Sequence, residues 1–373
     1  MMYPILYDST EQDFTSNGIG VLSDCVSCIV NEELNGAFDL ELQYPVNGVL
    51  FPEIIEGRYI KCKSNPYGGN QQIFKIYRSE KRMNSVAKFY AQHISYELNG
   101  YPIDKLKVQG NADYALKTIL DGALLPHKFT GSSDSRNISG FYLEFVSIKN
   151  ALLGEYLYYH YGEFEFDNFT VIHRRRRGAD RGLRIAYGNN LTSLNQNNDL
   201  YAFYTGVLPF AKYTRKSADG EDEEVTVVLP DRIAYVTGYD SYPHQRITIQ
   251  DFSDHFSDFG DGAENEVGYT AVELLRSLTN QWLTRTKPTQ PNLSIDLTFE
   301  DLSKALEYQD NPLSPEVFLG DTITVEYSQM GIEPSKTRVV AVKYDALKDR
   351  YYSLTVGSIR KNIADTIYQL TRR

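Results

Sequence analysis

Residues 172–194 of this chain read Ile-His-Arg-Arg-Arg-Arg-Gly-Ala-Asp-Arg-Gly-Leu-Arg-Ile-Ala-Tyr-Gly-Asn-Asn-Leu-Thr-Ser-Leu. The stretch contains six arginines, which are Arg174, Arg175, Arg176, Arg177, Arg181 and Arg184. Against one carboxylate, Asp180, they make the segment +5 in a chain of net charge −11, so the other residues sum to −16. Side chains alternate sides along a strand, so four adjacent arginines cannot share one face. We predict a strand that ends in the arginines, a glycine turn and a new strand.

The composition indicates a β-rich protein of several domains. The 373 residues suggest two to four domains. The 29 tyrosines and 18 phenylalanines, with only one tryptophan and four methionines, favour strands over helical bundles. The acidic balance, with a pI near 5.1, argues against a protein that binds nucleic acid by blanket phosphate neutralisation. Three cysteines exclude a disulfide scaffold. Without a basic leader or a long apolar run, we expect synthesis and folding in a cytoplasm.

The first hundred residues carry strand patterns. Apolar and polar residues alternate from Phe38 to Tyr44 after the turn Asn35-Gly36, which predicts a half-buried strand. Further strands are predicted at Arg58–Lys63, Gln71–Arg78 and Val86–Gln92, separated by turn-forming residues. Short strands at this spacing indicate a barrel or a sandwich.

Helical periodicity begins after residue 100. Asn111 is placed to cap a helix that runs through Asp121 and ends at Gly122. Ser147 is placed to cap a second helix that ends before Gly162. A hairpin with its turn at 167–168 then leads into the arginines. These patterns predict a small α+β domain.

The second half mixes strands with one helix. Strands are predicted at Val225–Leu229, Arg246–Gln250, Leu293–Phe299, Thr322–Tyr327, Arg338–Tyr344 and Tyr351–Val356. An acidic loop is predicted at Glu221–Glu224, and a helix at 266–287 that stops at Pro288.

The search for chemistry yields no catalytic residue, cofactor or metal ligand. Cys25 and Cys28 form a C-x-x-C without a second pair, so we expect a structural role, and Cys62 is expected to be a buried small hydrophobe. His93 is expected to make a hydrogen bond in the core. Carboxylates in 251–266 do not match a calcium-loop spacing, and we prefer a solvated loop to a calcium site.

Residues 177–192 closely resemble the RG-x-DRG-x-x-I-x-YGKNLT signature of phage tail proteins of the prophage endopeptidase-tail, or tail-associated-lysin, family. The departure is Asn189, where lysine is common. Three further stretches, 27–38, 71–77 and 91–96, resemble strands of the same family. The resemblance therefore covers nearly the whole chain, from about residue 17 to residue 357.

The resemblance implies the hub module of a tailed-phage or prophage baseplate, similar to the hub of contractile tails. Such a module forms a homotrimeric ring at the virion tail tip, from two barrel-like β domains and two small α/β domains. It contacts the distal tail protein ring, the tape-measure protein and other baseplate or receptor-binding proteins, and it opens for phage DNA. The expected domains are a barrel-like domain at 1–99, an α+β domain at 100–181, a discontinuous second barrel-like domain at 182–250 and 313–360, an inserted helix-containing segment at 251–312, and a tail at 361–373.

We expect a structural protein and not an enzyme, because the chain ends sixteen residues after Gly357 and leaves no room for a hydrolase. Two alternatives remain open, a tail-associated peptidoglycan hydrolase (endopeptidase) and a receptor- or carbohydrate-binding tail protein. The six arginines are expected at a subunit interface or in the channel lining. Of these we prefer the interface, where they would pair with acidic loops such as Glu221–Glu224 of a neighbouring subunit, because a strongly adhesive lumen would slow DNA.

Overall fold

The computed structural model describes residues 3–81, 83, 85–199, 203–216, 221–256, 270–286, 288, 292–300, 316–328 and 332–357. The chain forms two compact units, Met1–Gln196 with Ser294–Arg373, and Asn197–Leu293. Strands greatly outnumber helices among the described residues, which confirms a β-rich protein. The predicted domain boundaries stay a prediction.

The strands in chain order are β1 (Ile5–Tyr7), β2 (Gly20–Val21), β3 (Ser27–Glu33), β4 (Phe38–Pro45), β5 (Tyr59–Cys62), β6 (Gln72–Glu80), β7 (Val86–His93), β8 (Pro102–Asn111), β9 (Thr130–Ser133), β10 (Ile138–Ser147), β11 (Glu163–Asp167), β12 (Thr170–Arg174), β13 (Asp180–Ala186), β14 (Leu191–Asp199), β15 (Gly206–Lys216), β16 (Asp222–Val228), β17 (Ala234–Tyr235), β18 (Ile247–Asp251), β19 (Asn292–Phe299), β20 (Thr322–Tyr327), β21 (Ile332–Asp345) and β22 (Arg350–Gly357). The helices are α1 (Ala112–Asp121), α2 (Ile148–Ala151), α3 (Leu157–His160) and α4 (Ala271–Thr286), with a π-helical turn at Leu152–Tyr156 between α2 and α3. Short 3-10 turns lie at Phe51–Glu53, Ile94–Gly100, Tyr239–Ser241 and Ser253–His255.

A single large sheet forms the frame of the first unit. Its strand order is β14-β19-β22-β21-β3-β4-β7-β6-β5-β1-β2, and β20 pairs with β21 and with β13. The strands predicted in the first hundred residues are confirmed as β4 to β7. The join between the early and late strands is the antiparallel pair of β21 and β3, in which Ala341 lies opposite Glu33.

Alternation explains how the strands of this sheet form. Along β4, buried and half-buried residues alternate strictly. Phe38, Leu40, Leu42 and Tyr44 point into the core, while the polar residues between them face outward. Side chains of Val, Ile, Leu, Phe and Tyr fit such a pleated, half-buried surface.

Residues 102–174 contain the predicted helix after Asn111 and the predicted hairpin before the arginines. Strands β8 and β10 pair antiparallel, and β9, β11 and β12 form a three-stranded sheet. The Asn111 side chain accepts a hydrogen bond from the Tyr114 N–H and caps α1, as predicted. The apolar face of α1 packs into a core that also includes Tyr7 of β1 and Phe14 of the connection between β1 and β2. This segment and the large sheet therefore share one hydrophobic core.

The second unit has its own core. Strand β15 pairs with β16 and β17 antiparallel and with β18 parallel. Leu275 and Leu278 of α4 pack against Phe252, Phe256 and Ala211. The predicted start of this helix, 266–269, lies outside the described residues.

The acidic residues predicted as a loop lie mostly in a strand. Asp222, Glu223 and Glu224 belong to β16. Their carboxylates pair across the hairpin with Lys216, Arg215 and Lys212 of β15. Opposite charges on facing strands stabilise the pairing, which explains why a run of carboxylates can continue a strand here.

Candidate functional site

The arginine segment adopts the predicted strand, turn and strand. Strand β12 ends at Arg174, the chain turns through Gly178, and β13 begins at Asp180. Strand β13 runs parallel to β20, which follows the turn Leu319-Gly320-Asp321. The structure thus brings the Gly178 turn of the arginine segment against the turn Leu319-Gly320-Asp321.

Two glycines meet backbone to backbone where these turns touch. Gly178 has a φ of +75° and Gly320 a φ of +90°, both in the left-handed region that favours glycine. A Cβ on Gly178 would lie 2.2 Å from the Gly320 carbonyl carbon, and a Cβ on Gly320 would lie 2.6 Å from the Arg177 carbonyl oxygen. Only glycine fits at either position.

The Asp321 carboxylate ties the two turns together from a buried position. It accepts hydrogen bonds from the backbone N–H of Ala179 at 2.6 Å and of Phe318 at 2.9 Å. Arg181 Nε donates to it at 3.1 Å, and the guanidinium of Arg181 lies 4.9 Å from the Phe318 ring centroid. Arg181 therefore stabilises a turn within its own chain.

Arg177 is the most enclosed of the six arginines, with a side chain 14% exposed. Its Nη1 donates to Glu32 at 2.8 Å and to the Phe164 carbonyl at 3.1 Å. Burial opposes the charged guanidinium, but the carboxylates of Glu32, Glu165 and Glu163 together raise the pKa of Arg177 above its ordinary value. Arg177 therefore remains a cation inside the fold.

Glu163 and Arg338 complete the same network. The two side chains form a bidentate pair, with Nη1–Oε1 at 2.5 Å and Nη2–Oε2 at 2.6 Å. Glu163 also accepts the backbone N–H of Arg177 at 2.7 Å, and Arg338 donates to the carbonyls of Arg177 and Gly320. We call Glu32, Glu163, Arg177 and Arg338 the ion network.

Sequence reasoning missed Glu32, Glu163 and Arg338 as members of this network. Arg177 and Glu32 are 145 residues apart, and Arg338 and Glu163 are 175 residues apart. No local spacing signals such a contact, because only the sheet pairing of β3, β11 and β21 with their neighbours places the three strands around one point.

The four remaining arginines are all more exposed than Arg177. Arg174 pairs with Glu165 at 2.8 Å, and Arg184 pairs with Glu326. Arg176 Nη2 donates to Thr322 Oγ1 at 2.7 Å. Arg175 is exposed, and its guanidinium has no partner in the part of the chain that the structure describes. The arginines predicted as one set are thus divided between internal pairs and a free surface.

The other candidate residues have structural environments. Cys25, Cys28 and Cys62 are free thiols and are all buried, which confirms the prediction for Cys62. His93 is fully buried, accepts from Ser95 N at its Nδ1, and lies 3.0 Å from Gln72 Oε1 through its Nε2. This confirms a hydrogen-bonding role in the core. Burial, helped by Lys149, lowers the pKa of His93 well below its usual value.

The described residues contain no group of three or more His, Cys, Asp or Glu placed to hold a metal ion. The hypothesis of a solvated loop or a calcium site at 251–266 falls mostly on 257–266, outside the described residues. None of the described helices has the length and apolar character needed to span a bilayer.

Solved prophage tail proteins share this fold. The prophage tail protein gp18 of Listeria monocytogenes EGD-e is 13% identical with a TM-score of 0.58, over 99% of this chain and 98% of that one. The 43 kDa tail protein of prophage MuSo2 from Shewanella oneidensis is 12% identical with a TM-score of 0.58, over 91% and 94%. A tail protein of Neisseria meningitidis MC58 is 12% identical with a TM-score of 0.55, over 89% and 91%. The chain therefore has the fold of these prophage tail proteins.

The profile of the prophage endopeptidase tail family matches residues 179–367, half of the chain, and the chain belongs to this family. The match begins inside the arginine segment and includes the turn that carries Asp321. The resemblance inferred from the sequence is confirmed. No curated protein matches the sequence.

Proposed function

We propose that the protein is a structural hub of a phage or prophage tail tip, in which three copies form a ring that closes the tail tube and lets DNA pass on infection. The observation that carries this proposal is the fold, shared with a prophage tail protein over 98% or more of both chains. Family membership supports the same assignment to the tail.

The proposed role is that of a scaffold and not of an enzyme. The thiols that a cysteine hydrolase would need are buried, and the histidine in the family-like strand is held in the core by hydrogen bonds. The proposed partners are a distal tail protein ring, the tape-measure protein and other baseplate or receptor-binding proteins. The proposed architecture keeps two barrel-like domains, at 1–99 and at 182–250 with 313–360, and two α/β segments, at 100–181 and 251–312.

The arginine segment keeps its proposed place at a subunit interface or in the channel lining. Internal pairing of Arg174, Arg177, Arg181 and Arg184 restricts this proposal mainly to Arg175 and Arg176. The carboxylates of Asp222, Glu223 and Glu224, considered earlier as partners in a neighbouring copy, are paired within their own hairpin.

The mass of the purified protein in solution tests the ring. Light scattering at several concentrations, with and without calcium, is expected to give three times the chain mass of 42.6 kDa. A monomer at every concentration would contradict a ring that forms without other tail proteins. A zymogram on bacterial cell walls tests the scaffold role, and clearing by the purified protein would contradict it.

A further inference from the structure

The arginine segment has one region of unmatched positive charge. Arg175 and Arg176 are exposed, and in the described chain neither guanidinium contacts a carboxylate. Their neighbours Arg174 and Arg177 are paired with Glu165 and Glu32. The unmatched pair is therefore a local feature and not a property of the whole arginine run.

A third exposed arginine, which sequence reasoning did not single out, lies on a loop that is hydrogen-bonded to the arginine segment. Arg136 is exposed in the loop after β9, and β9 runs parallel beside β12. Asp134 N donates to the His173 carbonyl at 3.1 Å, and Arg175 N donates to Asp134 Oδ1 at 2.7 Å. The loop that carries Arg136 is thus hydrogen-bonded to His173 and Arg175, the residues on both sides of Arg174.

Hydrogen bonds within the loop hold Arg136 in place. Ser133 Oγ accepts from Ser135 N at 3.0 Å, and Ser135 Oγ accepts from Asn137 N at 3.4 Å. Asn137 Nδ2 donates to the His160 carbonyl at 3.1 Å. An arginine on a restrained backbone loses less conformational entropy on binding than one on a free loop.

Electrostatics distinguishes this surface from the rest of the molecule. We call Arg136, Arg175 and Arg176 the arginine face. With Asp134 beside it, the face has a charge of +2, so the other residues of the chain sum to −13. Nearby Asp180 is already paired with Lys336 at 2.6 Å. The carboxylate of Asp134 bonds to a backbone N–H and leaves the Arg175 guanidinium available.

We propose that the arginine face docks on an acidic surface of a second copy of this chain. This inference rests on the proposed ring and names the contact that would hold it. Each copy offers this positive face, and the rest of its chain has a net charge of −13. A contact between two different surfaces of identical chains is the kind that closes into a ring. Guanidinium groups suit carboxylates because they bind them with two parallel hydrogen bonds.

Nucleic acid is the weaker candidate for this face. The acidic remainder of each copy would repel a phosphate backbone. The few charges of the face instead match a local patch of carboxylates on a folded surface.

The test compares two triple variants by light scattering. Arg136→Glu with Arg175→Glu and Arg176→Glu reverses the face. Lys81→Glu with Lys128→Glu and Lys343→Glu is the matched control, because it makes the same charge change at other exposed lysines of the same compact unit that form no ion pair with the described residues. We expect the wild type and the control to form three-copy rings. The arginine variant is expected to associate at least tenfold more weakly, and wild-type association is expected to weaken with salt.

Three outcomes separate this inference from the ring itself. A ring formed by the arginine variant as tightly as by the wild type would overturn the inference and leave the ring standing. A wild-type monomer at every concentration would overturn both. A ring that persists while the variant loses retention of double-stranded DNA at low salt would assign the face to nucleic acid instead.

A second variant avoids dependence on charge reversal. Arg175→Cys provides an exposed thiol for a maleimide-benzophenone photo-crosslinker, because Cys25, Cys28 and Cys62 are buried. Crosslinks to an acidic peptide of a second copy are expected, as shown by mass spectrometry of mixed light and heavy chains. Crosslinks confined to single chains, in a sample of wild-type mass, would contradict the inference.

Discussion

Gly178 and Asp321 show how single residues determine the contact between the Gly178 turn and the turn Leu319-Gly320-Asp321. Gly178 adopts a left-handed backbone conformation and has no Cβ, so its backbone can contact the backbone of Gly320 in the same chain. Asp321 then satisfies two backbone N–H groups and one guanidinium from a buried position. A buried carboxylate is stable only when such donors surround it.

Gly178→Ala tests the close approach. The added Cβ would clash with Gly320 backbone and force a strained φ, so we expect a loss of about 3 kcal/mol or more in the free energy of unfolding. The control is Gly182→Ala. Gly182 has a φ of +81°, and an added Cβ would have nothing within 4 Å, so this change should cost about 1 kcal/mol in the free energy of unfolding. Urea unfolding measures both. Equal losses would show that the close approach contributes nothing.

Lys149 is a second residue with a large effect of its own, because its side chain is buried. Its Nζ lies 3.8 Å from the Phe166 ring centroid, 4.8 Å from the Tyr96 ring centroid and 3.3 Å from Ser95 Oγ. Burial lowers the pKa of Lys149 to about 7. Because the folded pKa lies below the unfolded value, the folded protein binds this proton less tightly, and Lys149 costs stability as pH falls from about 10 to about 7.

Lys149→Met removes that cost. We expect the variant to exceed the wild type in free energy of unfolding by about 3 kcal/mol at pH 7 and below, with a difference that shrinks as pH rises towards 10. Exposed Lys105→Met should show a small difference that does not vary with pH. Urea unfolding at pH 6, 8 and 10 measures these values. A gain that is the same at all three pH values would exclude the charge of Lys149 as the cause.

The ion network holds several strands together. Glu163 begins β11 and Arg338 lies in β21, so their bidentate pair fixes the three-stranded sheet to the large sheet. Arg177, in the connection between β12 and β13, bonds to Glu32 on β3 at the same point. The two ion pairs join residues that are 145 and 175 positions apart in the sequence. The network therefore specifies how elements distant in sequence meet.

A double-mutant cycle on Glu163→Gln and Arg338→Met tests this coupling. The Glu163 side chain is 8% exposed and that of Arg338 20% exposed, so either single change leaves a mostly enclosed charge without its partner. We expect each to cost about 3 kcal/mol, the lower end of the range for fully buried pairs. The double variant is expected to lose clearly less than the sum of the two single losses. Denaturant unfolding of all four proteins provides the coupling energy. Additive losses would mean that the two side chains stabilise the fold independently.

Two compact units with separate cores characterise the whole molecule. The core of the second unit includes Leu275 of α4. A separate core in the first unit includes Leu116 of α1 and other residues of 102–174. Cores that share no residue can lose stability separately. This division is a property of the contacts and follows no obvious break in composition.

Leu275→Ala and Leu116→Ala form a matched pair, because both leucines are fully buried in helices. Each change should cost about 2–5 kcal/mol in its own unit. Hydrogen exchange is expected to show faster opening of 206–251 amides in Leu275→Ala and of 102–174 amides in Leu116→Ala. Faster exchange throughout the chain in either variant would show that the two units unfold together.

Much of the local structure could be read from the sequence. Asn111 and Gly122 bound α1 as predicted, since capping depends on residues within one turn of the helix. The turn at Asp167-Asn168 joins β11 and β12, and Asn168 has the left-handed φ of 51° that asparagine tolerates. The carboxylates of 222–224 were misassigned because their partners on β15 lie beyond the reach of a pattern along one strand.

The residues alone were enough for the strand periods, the helix caps, the strand-turn-strand path of the arginine segment and the family. All of these depend on interactions within a few positions or on a motif read in order. Only the tertiary structure determined which arginines form ion pairs within the chain and which remain exposed. Glu32, Asp321 and Arg338 reach the arginine segment through sheet pairing across more than a hundred residues, and this pairing determines which guanidinium groups are neutralised and which remain at the surface.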